Sequence, residues 1–298
     1  MRVQIIGMGA LGLLFGSTIY DNGGDVAFIM DQERIERAIN NPPIVQGKTY
    51  EFTYLVPHEA PVADLLIFAV KYNALQEAID TVKASVGENT ILLSVLNGIV
   101  SEDEIGEVYG REKLVYSVAQ GMDAVKTGNS LAFKTAGELR IGVREDSQKE
   151  NLNKLAGFFD EMNVPYTIEA DIYYRLWSKF MLNVGTNQVL MVYEKTFKDL
   201  VTPGKIHDLA YAAMDEVIAI ANKEGVALSR TDADDYFEII RHMNPDGIPS
   251  MRQDRIAKRK SEVDMFAGTI IKLGKKHGIP TPVNEELYKQ VAEIEANY

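Results

Sequence analysis

Through roughly the first 170 of the 298 residues, short apolar runs alternate with helix-spaced segments, and beyond that point the strand signals stop. This change of period constrains the fold more than any other feature. Alternating strand and helix periods build a parallel sheet through right-handed crossovers, whereas a purely helical period requires helix-on-helix packing. Strands are predicted over 3–6, 25–30, 65–70, 90–96, 114–118, 131–134, 138–141 and 165–168, with helices over 10–22, 73–84 and 149–162. Residues 65–70 form a continuous apolar run, as a strand covered on both faces requires. The later helices are predicted over 171–193, 208–223, 231–243, 251–277 and 284–297. Gly225 and Gly278 stand just past two of them, each after a basic last turn, where a left-handed cap residue is favoured.

Composition narrows the function classes. With 31 Lys and Arg against 43 Asp and Glu, the formal charge is −12, which repels a phosphate backbone. The one concentrated basic stretch, 252–260, reads as a solvated helix face, and no nucleic-acid partner is expected. The absence of cysteine excludes disulfides, thiolate chemistry and sulfur-ligated zinc. His58, His207, His242 and His277 are isolated, so no metal site is expected. The apolar stretch 5–15 contains Gly7, Gly9 and Gly12, which suit a secretory signal poorly, and no window approaches the ~18 apolar residues of a membrane span. The expectation is a soluble cytoplasmic chain.

Gly7-Met8-Gly9-Ala10-Leu11-Gly12 lies directly after the first predicted strand and opens the first predicted helix. In that context backbone N–H groups and the helix N-terminus can hold a pyrophosphate, and missing side chains permit close approach. FAD and other nucleotides fit the same turn, and a plain tight turn would also use glycine. Asp31 follows about 20 residues on, at the end of the second strand, where an acid accepts from a ribose 2′-hydroxyl and repels a 2′-phosphate. NAD is favoured on that ground over NADP, although Arg34 or Arg37 could turn toward a phosphate. Lys71 and Asn97-Gly98 each follow a buried strand, and ligands collect at such strand ends. Together these features give the fold class: α/β, with a Rossmann-type dinucleotide-binding domain over 1–170 followed by an all-helical C-terminal domain over 171–298. The boundary near 169–171 has no Ser/Gly-rich tether, so the two domains are expected to form a cleft.

Within the helical half, Lys179, Asn183 and Asn187 are spaced i, i+4, i+8 and share one face of a largely apolar helix. Two amides beside a lysine suit a polar pocket for a neutral or anionic small molecule better than an ordinary solvated stripe. Ser250 follows a turn-rich segment and is placed as a helix N-cap, where its hydroxyl could also meet a carboxylate. Glu262, four residues after Lys258 on the same predicted helix, could form a surface pair there.

In their joint order, these motifs resemble the ketopantoate reductase family over nearly the whole chain. The resemblance implies a reductase moving a hydride from NAD(P)H to the keto carbon of a small 2-oxo acid, with 2-dehydropantoate as the family's substrate. It implies that Lys179 protonates the nascent alkoxide and that Glu262 orients the lysine or the new hydroxyl. By the same resemblance Asn183, Asn187 and Ser250 contact substrate, Lys71 and Asn97 contact the cofactor, and the chain forms a homodimer. Three departures stand out. Asp31 occupies the region where NADPH-using members carry arginine, Gly247 replaces a frequent substrate-binding asparagine, and Gln188 replaces the proline usual after the second helix amide. An NAD-dependent D-2-hydroxyacid dehydrogenase of the same family is the nearest alternative, followed by a non-catalytic dinucleotide sensor and a metal-dependent dehydrogenase.

Overall fold

Val3 and Ile5 in β1 (Arg2–Ile6) are fully buried, so the first strand is a central one. The computed structural model describes residues 1–298 and divides into two compact units, Met1–Ile172 and Tyr173–Tyr298. In the first, β1 leads through α1 (Ala10–Asp21) to β2 (Asp25–Ile29) and α2 (Gln32–Asn40). The short strands β3 (Ile44–Val45), β4 (Lys48–Thr49) and β5 (Thr53–Leu55) follow, then β6 (Leu65–Phe68), α3 (Leu75–Thr81), β7 (Ile91–Ser94) and α4 (Ser101–Tyr109). The unit continues with β8 (Leu114–Gln120), β9 (Val125–Thr127), β10 (Ser130–Ala132), β11 (Glu138–Gly142), α5 (Lys149–Glu161) and β12 (Tyr166–Ile168).

The main sheet has the order β12-β11-β8-β7-β6-β1-β2-β5. From β8 through β5 it is parallel, with β1 paired on one side to β2 and on the other to β6. Chain order therefore reverses at β1 and β6, and ligands in open parallel sheets bind outside the carboxyl ends of strands at such a reversal. Two expectations need correction. β11 runs antiparallel to β8, so the sheet is mixed, and residues 131–134 do not join it. Their strand, β10, belongs to a second sheet of order β4-β3-β10-β9, in which Val45 and Leu131 are buried.

The second unit is helical: α6 (Ile172–Tyr193), α7 (Phe197–Val201), α8 (Lys205–Lys223), α9 (Arg230–Arg241), α10 (Ser250–Ile256), α11 (Thr269–His277) and α12 (Pro282–Glu295). A Cβ at Gly185 would lie 2.5 Å from Met214 Cγ and 3.0 Å from the Ala210 carbonyl, so this position brings α6 tightly against α8. Gly225 and Gly278 take positive φ angles of 83° and 67°, as their places past basic helix ends imply.

The continuous helix expected over 251–277 is broken. α10 ends where Arg259 N–H donates to the Asp254 carbonyl (2.9 Å) with Lys258 at φ +50°, the left-handed closure usually given to glycine. A turn of π-helix, Asp264–Gly268, then leads into α11. Of the basic stretch 252–260, residues 256–260 are exposed, as a solvated face requires, while Arg252 and Arg255 are half-buried. Arg255 donates to the Met191 and Val192 carbonyls at the end of α6 (2.7 and 2.8 Å), and Arg252 and Arg255 both reach Glu194.

Glu102, in the first turn of α4, is almost wholly buried. One carboxylate oxygen accepts from Ser101 Oγ (2.8 Å), which also lies 2.8 Å from Ser94 Oγ, while the other has no partner. Burial, against the help of that hydroxyl, pushes its pKa up to about 7. The folded state thus holds a proton that the unfolded chain releases near 4.5, and stability falls as pH rises from there through 7, by about 3 kcal/mol. Urea unfolding of Glu102→Gln is expected to show a flatter pH dependence between pH 5 and 8 and greater stability than wild type at pH 8. An unchanged slope would assign the pH dependence to other groups.

Candidate active site

In the first unit the polar turn after β1 is shaped by close approach. Gly7 takes φ +103°, and a Cβ there would lie 2.5 Å from the Ala69 carbonyl oxygen at the end of β6. A Cβ at Gly12 would lie 2.0 Å from the Gly7 carbonyl, so α1 can start where it does only with glycine at that position. Gly9 differs. Its Cβ would meet nothing nearer than 3.7 Å, so the protein itself does not require glycine there, and the unobstructed backbone suits a diphosphate approaching the start of α1. Met8, Ala10 and Leu11 are partly buried against the core behind the turn.

Gly7 and Met8 line a cavity of about 520 Å³ that extends past Asp31, Arg34 and Arg37. The size and donor set fit the adenylate part of a dinucleotide. Asp31 is the N-cap of α2: its Oδ1 accepts Arg34 N–H at 2.8 Å, and its Oδ2 lies 3.2 Å from Arg34 Nε. A carboxylate has acceptor capacity left beyond these two contacts. Arg37 is drawn to Glu33 at 3.4 Å. Val70 lines the same cavity, whereas Lys71 beside it is exposed at the start of a short 3-10 turn. Asn97 is half-buried past the end of β7, followed by Gly98 at φ +95°.

In the second unit Lys179, Asn183 and Asn187 lie on one face of α6, and a chain of hydrogen bonds fixes the two amides. Asn187 Oδ1 accepts from Met251 N–H (3.2 Å) and Ser250 Oγ (3.1 Å). A backbone N–H can only donate, so the oxygen of Asn187 must face it and the NH₂ must face α6, where it donates to Asn183 Oδ1 (3.3 Å). Asn183 Nδ2 is left buried without an acceptor. A buried donor pair of this kind costs free energy until something accepts from it, and a carboxylate or hydroxyl oxygen would. Ser250 is thus the first residue of α10 rather than its N-cap, which is Pro249.

Lys179 is withdrawn from solvent, and burial lowers its pKa to about 8 against the opposing pull of Glu262. Glu262 lies half-buried in the break between α10 and α11, not on a helix with Lys258 as expected. An ammonium near pKa 8 is close to the ideal for giving up a proton at neutral pH. Relative to 10.5 the shift costs about 3 kcal/mol of stability below pH 8, recovered as pH climbs from 8 through 10.5.

Two of the departures noted in the sequence have structural causes. A Cβ at Gly247 would lie 2.8 Å from the Phe197 ring, and Phe197 N–H donates to the Gly247 carbonyl (3.0 Å), so this position has no room for an amide side chain. Gln188 is fully buried and donates to Val184 O (3.0 Å) and Asn284 Oδ1 (3.1 Å), tying α6 to α12. The cavity residues on the β9–β10 hairpin, Lys126 among them, were missed from sequence, because nothing local marks a two-strand excursion as part of a distant glycine turn. No group of three His, Asp or Glu is placed to hold a metal ion, and no helix is long and apolar enough to cross a membrane.

Residues 3–146 match the family model described as ketopantoate reductase PanE/ApbA, and residues 171–295 match its C-terminal counterpart. A 2-dehydropantoate 2-reductase of Aquifex aeolicus is 29% identical, with 98% of this chain and 96% of the relative covered. The crystal structure of a PanE/ApbA family ketopantoate reductase from Ralstonia eutropha, 25% identical, superposes with a TM-score of 0.86 over 100% of this chain and 99% of that one. A ternary structure of D-mandelate dehydrogenase with NADH and anilino(oxo)acetate shares the fold at a TM-score of 0.91 and 22% identity, covering 100% and 99% of the two chains.

In ¹³C-lysine NMR, Lys179 is expected to titrate near pH 8, and Glu262→Gln to move it lower, since Glu262 raises the value. A midpoint near 10.5 in wild type would contradict the burial argument.

Proposed function

The chain belongs to the ketopantoate reductase family and is an NAD(P)-dependent 2-oxo acid reductase, and from that premise we propose that it reduces 2-dehydropantoate to pantoate, preferring NADH. The observation that carries the reading is the pairing on α6 of a lysine near pKa 8 with an amide whose NH₂ is left without an acceptor. A reduced nicotinamide dinucleotide held at the glycine turn would supply the hydride. Gly7 to Gly12 would hold the diphosphate, with Asp31, Lys71 and Asn97 as further cofactor contacts.

Lys179 then donates the proton that turns the alkoxide into a hydroxyl, a transfer its lowered pKa favours. Glu262 holds the ammonium charged until substrate arrives, which is why it raises a value that burial depresses. Asn183 gives its N–H groups to the oxo acid, with its oxygen already committed to Asn187. Asn187 serves mainly to aim Asn183, and Ser250 to hold Asn187, while its hydroxyl remains near enough to share with a substrate carboxylate. A homodimer in the cytoplasm belongs to the same reading.

A second reading rests on Gly247. Phe197 presents an aromatic ring where relatives often have an amide, which favours a branched or aromatic 2-oxo acid without a hydroxyl to satisfy. A kinetic matrix of NADH and NADPH against ketopantoate, ketoisovalerate and phenylglyoxylate separates the two. The primary reading requires the highest kcat/KM with ketopantoate.

Lys179→Ala is expected to lower kcat by about two to four powers of ten with cofactor affinity retained. Activity within a few-fold of wild type would remove Lys179 as the acid. Asp31→Ala is expected to lower the NADH-to-NADPH ratio of kcat/KM by roughly tenfold, the scale of one charge-assisted hydrogen bond. A ratio unchanged by the substitution would leave Asp31 as a helix cap alone.

A further inference from the structure

Five charged side chains line the cavity behind the glycine turn: Asp31, Arg34, Arg37, Glu77 and Lys126. Asp31 and Arg34 answer each other at 3.2 Å, Arg37 is held by Glu33 at 3.4 Å, and Glu77 is exposed on α3. Lys126 alone combines partial burial with the absence of any hydrogen-bond or ion-pair partner. It comes from β9, the edge strand of the small sheet, more than 100 residues along the chain from the turn it shares a cavity with. The alternation on β9 is exposed at Val125, half-buried at Lys126 and exposed at Thr127. Lys126 pairs across the strands with Leu131, which is buried, so its stem lies on the inward face of the hairpin.

A lysine ordinarily leaves its ammonium in water, and withdrawing it without a counter-ion is unfavourable. Burial accordingly lowers the pKa of Lys126. An anion entering the cavity would relieve that cost, and the anions of a nicotinamide dinucleotide are its phosphates.

We propose that Lys126, delivered by the β9–β10 hairpin into the cavity shared with Gly7 and Met8, is a phosphate-binding residue of the cofactor site. The inference rests on the dinucleotide reading above. The shared chemistry is a phosphoryl oxygen accepting from an ammonium, and its source is either the diphosphate common to both cofactors or the 2′-phosphate of NADPH.

The test is cofactor binding by calorimetry or by quenching of protein fluorescence, with NADH and NADPH measured separately on wild type, Lys126→Met and Lys126→Arg. Methionine keeps the apolar stem and removes the charge, and Lys126→Gln is the second variant should methionine disturb the hairpin. Losses of about tenfold to a hundredfold for both cofactors, partly restored by arginine, would support contact with the diphosphate. A loss of that size for NADPH alone would support contact with the 2′-phosphate. Affinities within twofold of wild type for both cofactors would overturn the proposal and leave Lys126 as an inward charge that blunts a sheet edge. If wild type bound neither cofactor, the dinucleotide reading itself would fall, an outcome distinct from failure of the Lys126 assignment.

Discussion

The fold of the first unit depends on a steric exclusion: no atom beyond Cα fits at positions 7 and 12. Ala69 closes on Gly7 from the neighbouring strand, and the Gly7 carbonyl in turn closes on Gly12 from below α1. The start of α1 is thereby pressed against the reversal point of the sheet, with its first N–H groups facing the strand ends. A side chain at Gly16 would likewise strike the Phe28 ring at 2.7 Å, so the whole inner face of α1 is fitted to β1 and β2. Alanine at any of these three positions would displace the helix, and with it the glycine turn that lines the cavity.

The second unit solves a different problem, orienting amides whose two ends are nearly the same shape. A backbone N–H at Met251 breaks that ambiguity, and the choice propagates through Asn187 to Asn183 over two hydrogen bonds. Directionality along α6 therefore depends on where α10 begins. The closure at Lys258 and the grip of Arg255 on the end of α6 hold that start in place. Stretch 252–260 thus contributes to the site without containing any of its polar contacts.

The period change, the glycine turn and the i, i+4, i+8 face were legible in sequence because each is a local pattern with a direct geometric meaning. Less legible were features set by distant partners. Helix α2 has a strongly amphipathic sequence but only Ile35 and Ala38 buried, too few apolar positions to announce it. Helix α4 opens with Glu102, Asp103 and Glu104, and its burial of a glutamate runs against composition. The break after Ile256 escaped notice because its left-handed residue is a lysine, where a glycine would have marked it. Ser250 looks like a cap by its place after Pro249, yet the acceptor for the first turn of α10 comes from Asn187, 64 residues away from Met251. Such cross-chain capping leaves no trace in spacing.

Charge placement is a property the two units share. With 43 acidic residues against 31 Lys and Arg, the chain has carboxylates to spare, and most surface cations sit beside one. Lys126 and Lys179 are held differently: burial depresses both, and only Lys179 has a carboxylate, Glu262, pulling the other way. Withdrawing an ammonium from water costs free energy, so a chain under no other demand would leave it at the surface. Ligands that bring negative charge, a phosphate in one case and a developing alkoxide in the other, recover that cost on arrival. Binding energy and proton transfer would then draw on the same reserve, a cation held partly out of water before its anion arrives.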